Sequence, residues 1–408
     1  MPLEIREVVG KKELKAFIRL PVGIYRGVPQ WVPPIWSDER TFHDPAKYPA
    51  YRTADAVRYL AWRSGAPVGR VMGIVQRRMN ERWRIKNARF TFLECPDERE
   101  ICAALLGAVE GWARERGMET VTGPHGFSDQ DCQGMLIHGF EHRATIETFY
   151  NLPYLPKLVE ACGYSKDFDY RVFRVPIPAA PPPVYVKVKE RLERRGFVLV
   201  EFTKRKALLP HIPDFVRIYN DTFDEIYGFV SLTAEEGKKL ISDYLPVLDP
   251  RFVKFIYKLP PGERGRPVVP GSDEVVAFFI GIPDMTEGIQ AAGGRLFPFG
   301  FLKIMAAQKR TEQLDLMIAG VTKAYRNRGL AAMFGVGLIR DANAAGFTYA
   351  DAHQELEFNT KVQAEMLRFG AREYKRMRVY KKEVAPGGLE RYDNAFEHHH
   401  GFGVDDPL

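Results

Sequence analysis

The chain has 408 residues, 45% of them apolar and 27% charged, with 59 basic against 52 acidic side chains and a formal net charge of +7. That length gives room for two or three domains with their own cores, and the composition is that of a soluble globular protein. No apolar run approaches the roughly 18 residues that span a bilayer, the opening Met1-Pro2-Leu3-Glu4-Ile5-Arg6 lacks a secretory core, and Cys95, Cys102, Cys132 and Cys162 form no C-x-x-C pair, so a membrane span, a signal peptide, a zinc site and a disulfide framework are all disfavoured.

From the N-terminus, alternation and helical spacing predict a strand at Leu3 to Val8, a helix at Lys11 to Ile24, strands at Ala56 to Arg63, Val68 to Gln76 and Ala88 to Glu94, a helix at Arg99 to Arg116 and a strand at Glu119 to Thr122. The prolines of Val175 to Pro183 then rule out a continuous helix or central strand and read as a linker. Beyond it come a helix at Val184 to Arg194, a strand at Phe197 to Phe202, helices at Ile212 to Asp224 and Thr233 to Leu245, and strands at Phe252 to Lys258 and Glu274 to Ile282. The capping-box pattern Thr233-Ala234-Glu235-Glu236 opens the helix at Thr233. The order of elements is the same on both sides of the linker, which points to a duplicated architecture: residues 1–175, a linker and connecting helix over 176–196, a second domain over 197–384, and a tail over 385–408.

The most telling stretch lies in the second half. A strand at Gln313 to Val321 runs into Thr322-Lys323-Ala324-Tyr325-Arg326-Asn327-Arg328-Gly329 and then into a helix at Leu330 to Ala345. A helix N-terminus offers unpaired backbone N–H groups and about half a positive charge, so such a turn is suited to phosphate. Gly329 lets backbone approach closely, and the small Ala331 and Ala332 leave the first turn open.

Arg326-x-x-Gly329-x-Ala331 resembles the coenzyme A pyrophosphate loop of the GNAT acyltransferase superfamily. Asn359 to Ala371 resembles the helix that follows in that superfamily, with a closing strand at Glu373 to Lys381. The resemblance implies an α/β fold of two tandem GNAT-like domains, each a mixed, mostly antiparallel twisted sheet flanked by helices. It also implies acetyl-CoA or a longer acyl-CoA as donor, bound by Val321, Arg326, Asn327, Arg328, Gly329, Leu330, Ala331, Ala332 and Asn359, with no metal. In the first half the equivalent loop, Phe92 to Glu100, has no glycine and several carboxylates, so anion binding is expected in the second half only.

Acyl transfer to an amine requires a polarised carbonyl and a base. The resemblance places the base on the splayed strands flanking the thioester, where Asp315, His353, Glu355 and Glu357 are candidates. The family's acid tyrosine falls on Met366 or Leu367 and is missing, leaving Tyr227 or Tyr374 to supply a proton. Ser128 with His125, Asp129, Asp131 and His138 lacks a nucleophile-elbow pattern, which disfavours hydrolase chemistry.

The connection from Pro283 to Met305 is long and aromatic: it can wall an acyl-chain tunnel, touch a membrane, or pack as an amphipathic helix. Leu20 to Pro34 and this connection resemble the bacterial group of ceramide synthase-like acyltransferases. The expected protein is therefore a cytoplasmic N-acyltransferase, monomer or homodimer, with a small-molecule or lipid amine acceptor, possible peripheral membrane contact and no nucleic-acid partner. A tRNA-dependent Fem-type aminoacyl transferase and a non-catalytic CoA-binding module remain as alternatives.

Overall fold

The computed structural model describes residues 2–131, 133–223, 229 and 231–400. In chain order these form β1 (Glu4–Glu7), α1 (Lys11–Arg19), α2 (Pro21–Ile24), α3 (Trp36–Phe42), β2 (Ala54–Arg63), β3 (Ala66–Gln76), α4 (Arg77–Trp83), β4 (Asn87–Glu94), α5 (Arg99–Glu115), β5 (Thr120–Gly123), β6 (Met135–His138), α6 (Tyr154–Ala161) and β7 (Ser165–Pro176). There follow α7 (Pro183–Arg194), β8 (Phe197–Glu201), α8 (Ile212–Phe223), α9 (Ala234–Tyr244), β9 (Val253–Lys258), β10 (Glu274–Pro283), α10 (Thr286–Ala292), α11 (Gly300–Gln308), β11 (Gln313–Val321), α12 (Leu330–Ala345), β12 (Tyr349–Leu356), α13 (Thr360–Arg368), β13 (Arg372–Glu383) and α14 (Gly388–His400). The predicted helix Lys11 to Ile24 is divided at Pro21, which lacks an N–H to continue α1 and instead starts α2. The capping box forms as expected, with Thr233 Oγ1 accepting from the Glu236 amide (3.2 Å) and the Glu236 carboxylate from the Thr233 amide (2.8 Å).

Two compact units result. The first contains residues 2–172, 286–304 and 374–400, the second residues 173–285 and 305–373. In the first, β1, β2, β3 and β4 run antiparallel, β4 and β5 run parallel, and β13 lies antiparallel to β5. The apolar face of α5, with Ile101, Leu105, Val109 and Trp112, covers Val71, Phe90 and Val121. The helix packs so closely on β3 that a Cβ on Gly69 would lie 2.8 Å from the Leu105 side chain.

The second unit repeats the pattern. Strands β8, β9, β10 and β11 run antiparallel, and β11 and β12 are parallel. Here α12 stacks Leu330, Met333 and Phe334 on Ile256, Val276 and Phe279, with Leu192 of α7 alongside. Lys254, with no exposed surface, crosses beneath α12 to Glu201 (2.8 Å) and Asp341 (2.6 Å).

Both units carry a bulge at the corresponding strand pair. Val71 faces both Phe92 and Leu93, and Gly281 faces both Leu316 and Met317, so each bulged strand has one residue more than its neighbour.

The units do not divide at the proline segment. The strand expected to close the second half, Glu373 to Lys381, is β13, and it pairs in the first unit, Tyr380 with Gly123 and Lys382 with Val121. Strand β7 passes from the first unit into the second at Phe173. Both are long strands of similar pattern, and alternation says nothing about which sheet edge a strand joins. The segment expected as a tail contains α14, fixed by Tyr392, which is 2% exposed and donates to Asp167 Oδ2 at 2.8 Å.

Candidate functional site

The second unit presents two features side by side in sequence: a glycine loop leaving β11 and a fork between β11 and β12. Strand β11 ends at Val321, paired with Ala277, and the Thr322 amide continues the ladder to the Val276 carbonyl at 3.0 Å. A single tight turn, Lys323–Tyr325, follows. The Tyr325 hydroxyl donates to Glu274 (2.8 Å), the Arg328 guanidinium lies 4.9 Å from the Tyr325 ring centre, and Arg326 donates to the Thr222 carbonyl (3.3 Å).

Asn327 (φ 62°) and Gly329 (φ 86°) both adopt left-handed backbone, a conformation that asparagine tolerates and glycine adopts freely. Gly329 is the N-cap of α12, so no side chain occupies the cap. A Cβ there would lie 2.8 Å from Val188 Cγ1, which makes this a close approach of α7 and the loop. Val321, Leu330 and Ala332 are buried and fix the loop to the core, while Asn327, Arg328 and Ala331 are exposed. From Thr322 to Arg340 there is no carboxylate. The helix start, two arginines and the lack of a carboxylate between Thr322 and Arg340 suit an anion, while Glu274 is engaged by Tyr325 at the edge of the loop and the Ala332 amide by the Gly329 carbonyl at 3.1 Å.

The fork is defined by register. Parallel pairing joins Gln313, Leu314 and Asp315 to Tyr349, Ala350 and Asp351 and goes no further, although both strands continue. The Leu316–Met317 bulge begins where the pairing stops. Both strands point their carboxyl ends the same way, the end from which the glycine loop also departs, and this is the usual ligand side of parallel strands.

Asp315 and Asp351, 1% and 0% exposed, are paired at the base of the fork, with Gln313 Nε2 donating to Asp315 Oδ1 at 2.6 Å. Burial raises the Tyr349 phenol, Arg174 over its ring at 5.1 Å lowers it, and nearby Asp284, Asp351 and Asp315 raise it further. His353 is buried, has positive φ (47°) and donates its backbone N–H to Asp351 Oδ1 at 2.9 Å.

Further along β12, Glu355 is partly exposed, yet desolvation lifts its pKa to about 7 against the opposing hydrogen bond from Asn359. That bond runs from Asn359 Nδ2 to Glu355 Oε2 at 3.1 Å. Asn359 caps α13 and so fixes the carboxylate from a helix end.

Of the sequence candidates, Asp315, His353, Glu355 and Asn359 are all on or beside the fork, and the side chain of Asn359 is engaged with Glu355. Tyr227 lies outside the described residues. Tyr374 belongs to the first unit, where its ring meets His142 edge-on. Met366, at the expected acid position, packs beside Phe173, Ala352 and Ala371. The buried Asp351 and Asp284 are not among the sequence candidates; the one signal for Asp351 is a carboxylate between Ala350 and Ala352 in a strand, and Asp284 directly follows the end of β10.

In the first unit, the segment equivalent to the glycine loop is occupied by ion pairs, Arg63 reaching Glu98 (2.6 Å) and Glu100 (3.5 Å). The Ser128 cluster forms a turn: Asp131 Oδ2 accepts the Phe127 and Ser128 amides at 2.7 and 3.2 Å, and Ser128 Oγ accepts the Gln130 amide at 3.2 Å. Among the described residues, no group of three or more His, Cys, Asp or Glu side chains is arranged to hold a metal ion.

An antiparallel run, a bulged strand, a parallel fork and a helix leaving it, built twice, define a tandem GNAT fold. A tandem GNAT protein from the clavulanic acid biosynthesis pathway superposes with a TM-score of 0.50 at 12% identity, covering 94% of this chain and 99% of that one. A GCN5-related glucosamine N-acetyltransferase region of a fungal multi-domain β-N-acetylglucosaminidase gives 0.52 at 11% identity, over 93% of this chain and 38% of that one.

In sequence the chain is similar to Protein YghO of Escherichia coli (strain K12), 27% identical over 394 residues, which cover 93% of this chain and 95% of that protein. It is also similar to the bacterial ceramide synthase of Caulobacter vibrioides, 24% identical over 389 residues, 94% of this chain and 98% of that protein. No family model matches the chain. No helix among the described residues is long and apolar enough to cross a membrane.

Proposed function

We propose that the protein is an acyl-CoA-dependent N-acyltransferase that passes an acyl group from the thioester directly to an amine. The observation that carries this reading is Glu355, a carboxylate with a pKa of about 7, held by Asn359 at the open end of the β11–β12 fork from which the glycine loop also departs. A base with that pKa is half-ionised at neutral pH and can take the proton that an attacking amine loses. The backbone of Asn327 to Ala332 holds the pyrophosphate, and Arg326 and Arg328 add charge. The residue that the Leu316–Met317 bulge takes out of the ladder offers a backbone N–H for the carbonyl oxygen. Nitrogen attacks the carbonyl carbon, the new C–N bond replaces the C–S bond, Glu355 receives the amine proton, and the thiol group leaves as thiolate, since Met366 provides no acid.

The finer reading is a long acyl chain and a lipid amine acceptor. It is supported by the similarity, along nearly the whole chain, to the protein named bacterial ceramide synthase. The test is turnover with acetyl-, octanoyl- and palmitoyl-CoA against sphingoid and simple amines, followed by thiol release across pH. Turnover is expected to rise through pH 7 and level off, and Glu355→Gln is expected to lower kcat by roughly 10²-fold or more and remove that limb. A Glu355→Gln enzyme with the wild-type rate and pH profile would remove the assignment. Equal turnover for all three donors would remove the long-chain reading alone.

A further inference from the structure

The connection between β10 and β11 carries an apolar surface that serves no core. Phe297, Phe299 and Leu302 are 83%, 67% and 61% exposed, although such side chains ordinarily contribute burial energy. Their backbone is nevertheless held firmly. The Phe301 amide donates to the Leu296 carbonyl at 2.8 Å, and a Cβ on Gly300 would fall 1.6 Å from the Arg295 carbonyl oxygen, so the loop is closed tightly on itself.

Its base is equally fixed. Trp36 Nε1 donates to the Gly293 carbonyl at 2.7 Å, and Gln290 Nε2 donates to the Pro29 and Trp31 carbonyls at 2.8 Å each. A tied loop that projects aromatic residues outward is a built surface, and exposed apolar patches of this kind mark contact sites.

The charges within the loop have one sign, and on the neighbouring α3 the exposed Arg40 stands beside one exposed acid, Asp38. Arg295 and Lys303 flank the patch in sequence, and no acidic residue occurs between Glu287 and Glu312. Arg19 stacks on Trp36 at 4.0 Å from the ring centre and stands close enough to Arg295 and Arg40 to feel the charge of both. The excess of cations, Arg19, Arg40, Arg295 and Lys303 against Asp38, disfavours a second copy of the same face, because two copies would bring net positive charge together. The combination of protruding aromatics and a cationic rim matches an anionic lipid surface, where rings enter the headgroup boundary and arginines meet phosphates.

We propose that the Arg295–Lys303 loop, with Arg19 and Arg40, is a docking surface for anionic bilayers that seats the protein on the membrane face without crossing it. This inference stands apart from the acyl-transfer reading, since none of these residues belongs to the fork or the glycine loop.

The test is flotation of the full-length protein with phosphatidylcholine vesicles, pure or containing about one quarter phosphatidylglycerol. Wild type is expected to bind the anionic vesicles at least roughly tenfold better than the neutral ones, and to release them as salt is raised. The triple substitution Phe297→Ser, Phe299→Ser, Leu302→Ser is expected to weaken binding by at least roughly tenfold with the unfolding midpoint unchanged. Arg40→Gln with Arg295→Gln is expected to remove the preference for anionic lipid. Phe299→Trp provides an independent reading that does not depend on the triple variant folding: its emission should shift to the blue on adding anionic vesicles. Unshifted emission, or vesicle binding unchanged in the triple variant, overturns the proposal. So does a triple variant that becomes monomeric while wild type ignores vesicles, or one that loses only palmitoyl-CoA affinity.

Discussion

Gly329 allows shape and charge at the proposed pyrophosphate loop to be separated. Its backbone sits at φ +86° and ψ 19°, and a Cβ would lie 2.8 Å from Val188 Cγ1. Alanine there would carry about 1–2 kcal/mol of left-handed strain and about 1 kcal/mol or more of crowding against a stiff branched side chain. Asparagine and aspartate tolerate left-handed backbone better and have the same shape, so the pair Gly329→Asn and Gly329→Asp differ in charge alone.

A carboxylate about 5 Å from one phosphate charge costs about 3 kcal/mol at an effective dielectric of about 20, and solvent at this partly exposed loop reduces that to about 1.5–3 kcal/mol. Calorimetric titration with coenzyme A should therefore find the Asp variant about 10- to 100-fold weaker than the Asn variant, with the gap shrinking as salt rises. Adding Val188→Ala should restore part of the stability lost by both. Folded Asn and Asp variants that bind coenzyme A equally well, at low salt, would refute pyrophosphate binding at this loop.

Glu355 also links pH to stability. Its folded pKa of about 7 lies above the ordinary 4.5, so the folded protein holds the proton more tightly than the unfolded chain. The stability this contributes is full below about pH 4.5 and is lost as pH rises through 7, a change of up to about 3 kcal/mol, less for the partial exposure of the group. Glu355→Gln should thus unfold at a higher temperature than wild type at pH 8 and at a similar one near pH 4, while turning over poorly; equal shifts at both pH values would contradict the desolvation argument. At Lys254, substitution by Met leaves Glu201 and Asp341 without their buried cation. Because both carboxylates reach solvent in part, the expected loss is about 2 kcal/mol at pH 7 rather than the larger value for a fully buried pair. Against desolvation by burial, Lys254 and Arg340 hold the Glu201 carboxyl below its ordinary value, so the loss should persist through mildly acidic pH and shrink only as Glu201 protonates at lower pH; denaturant unfolding from pH 7 downward checks this.

Much of this architecture is local, and local order is what a sequence displays. Alternation marks β2, β3, β9 and β10, helical spacing marks α5 and α12, the Thr233 capping box marks the start of α9, and Arg326-x-x-Gly329-x-Ala331 marks a turn whose glycine does adopt left-handed backbone. Each of these depends on residues within a turn or two of one another. Which strand joins which edge is a long-range choice, and β13 beside β5 could not be read from twelve residues of alternating pattern. The ionisation of Glu355 is equally non-local, because it depends on desolvation by surrounding elements and on an asparagine fixed at the start of α13. The same holds for Phe297 and Phe299. Their apolar character is visible in the sequence, but their exposure follows from a loop anchored by Gly293 and Gly294 on the Trp36 segment and closed by Gly300 on Arg295, because hydrophobicity sets the energy of burial and tertiary packing decides which side chains receive it.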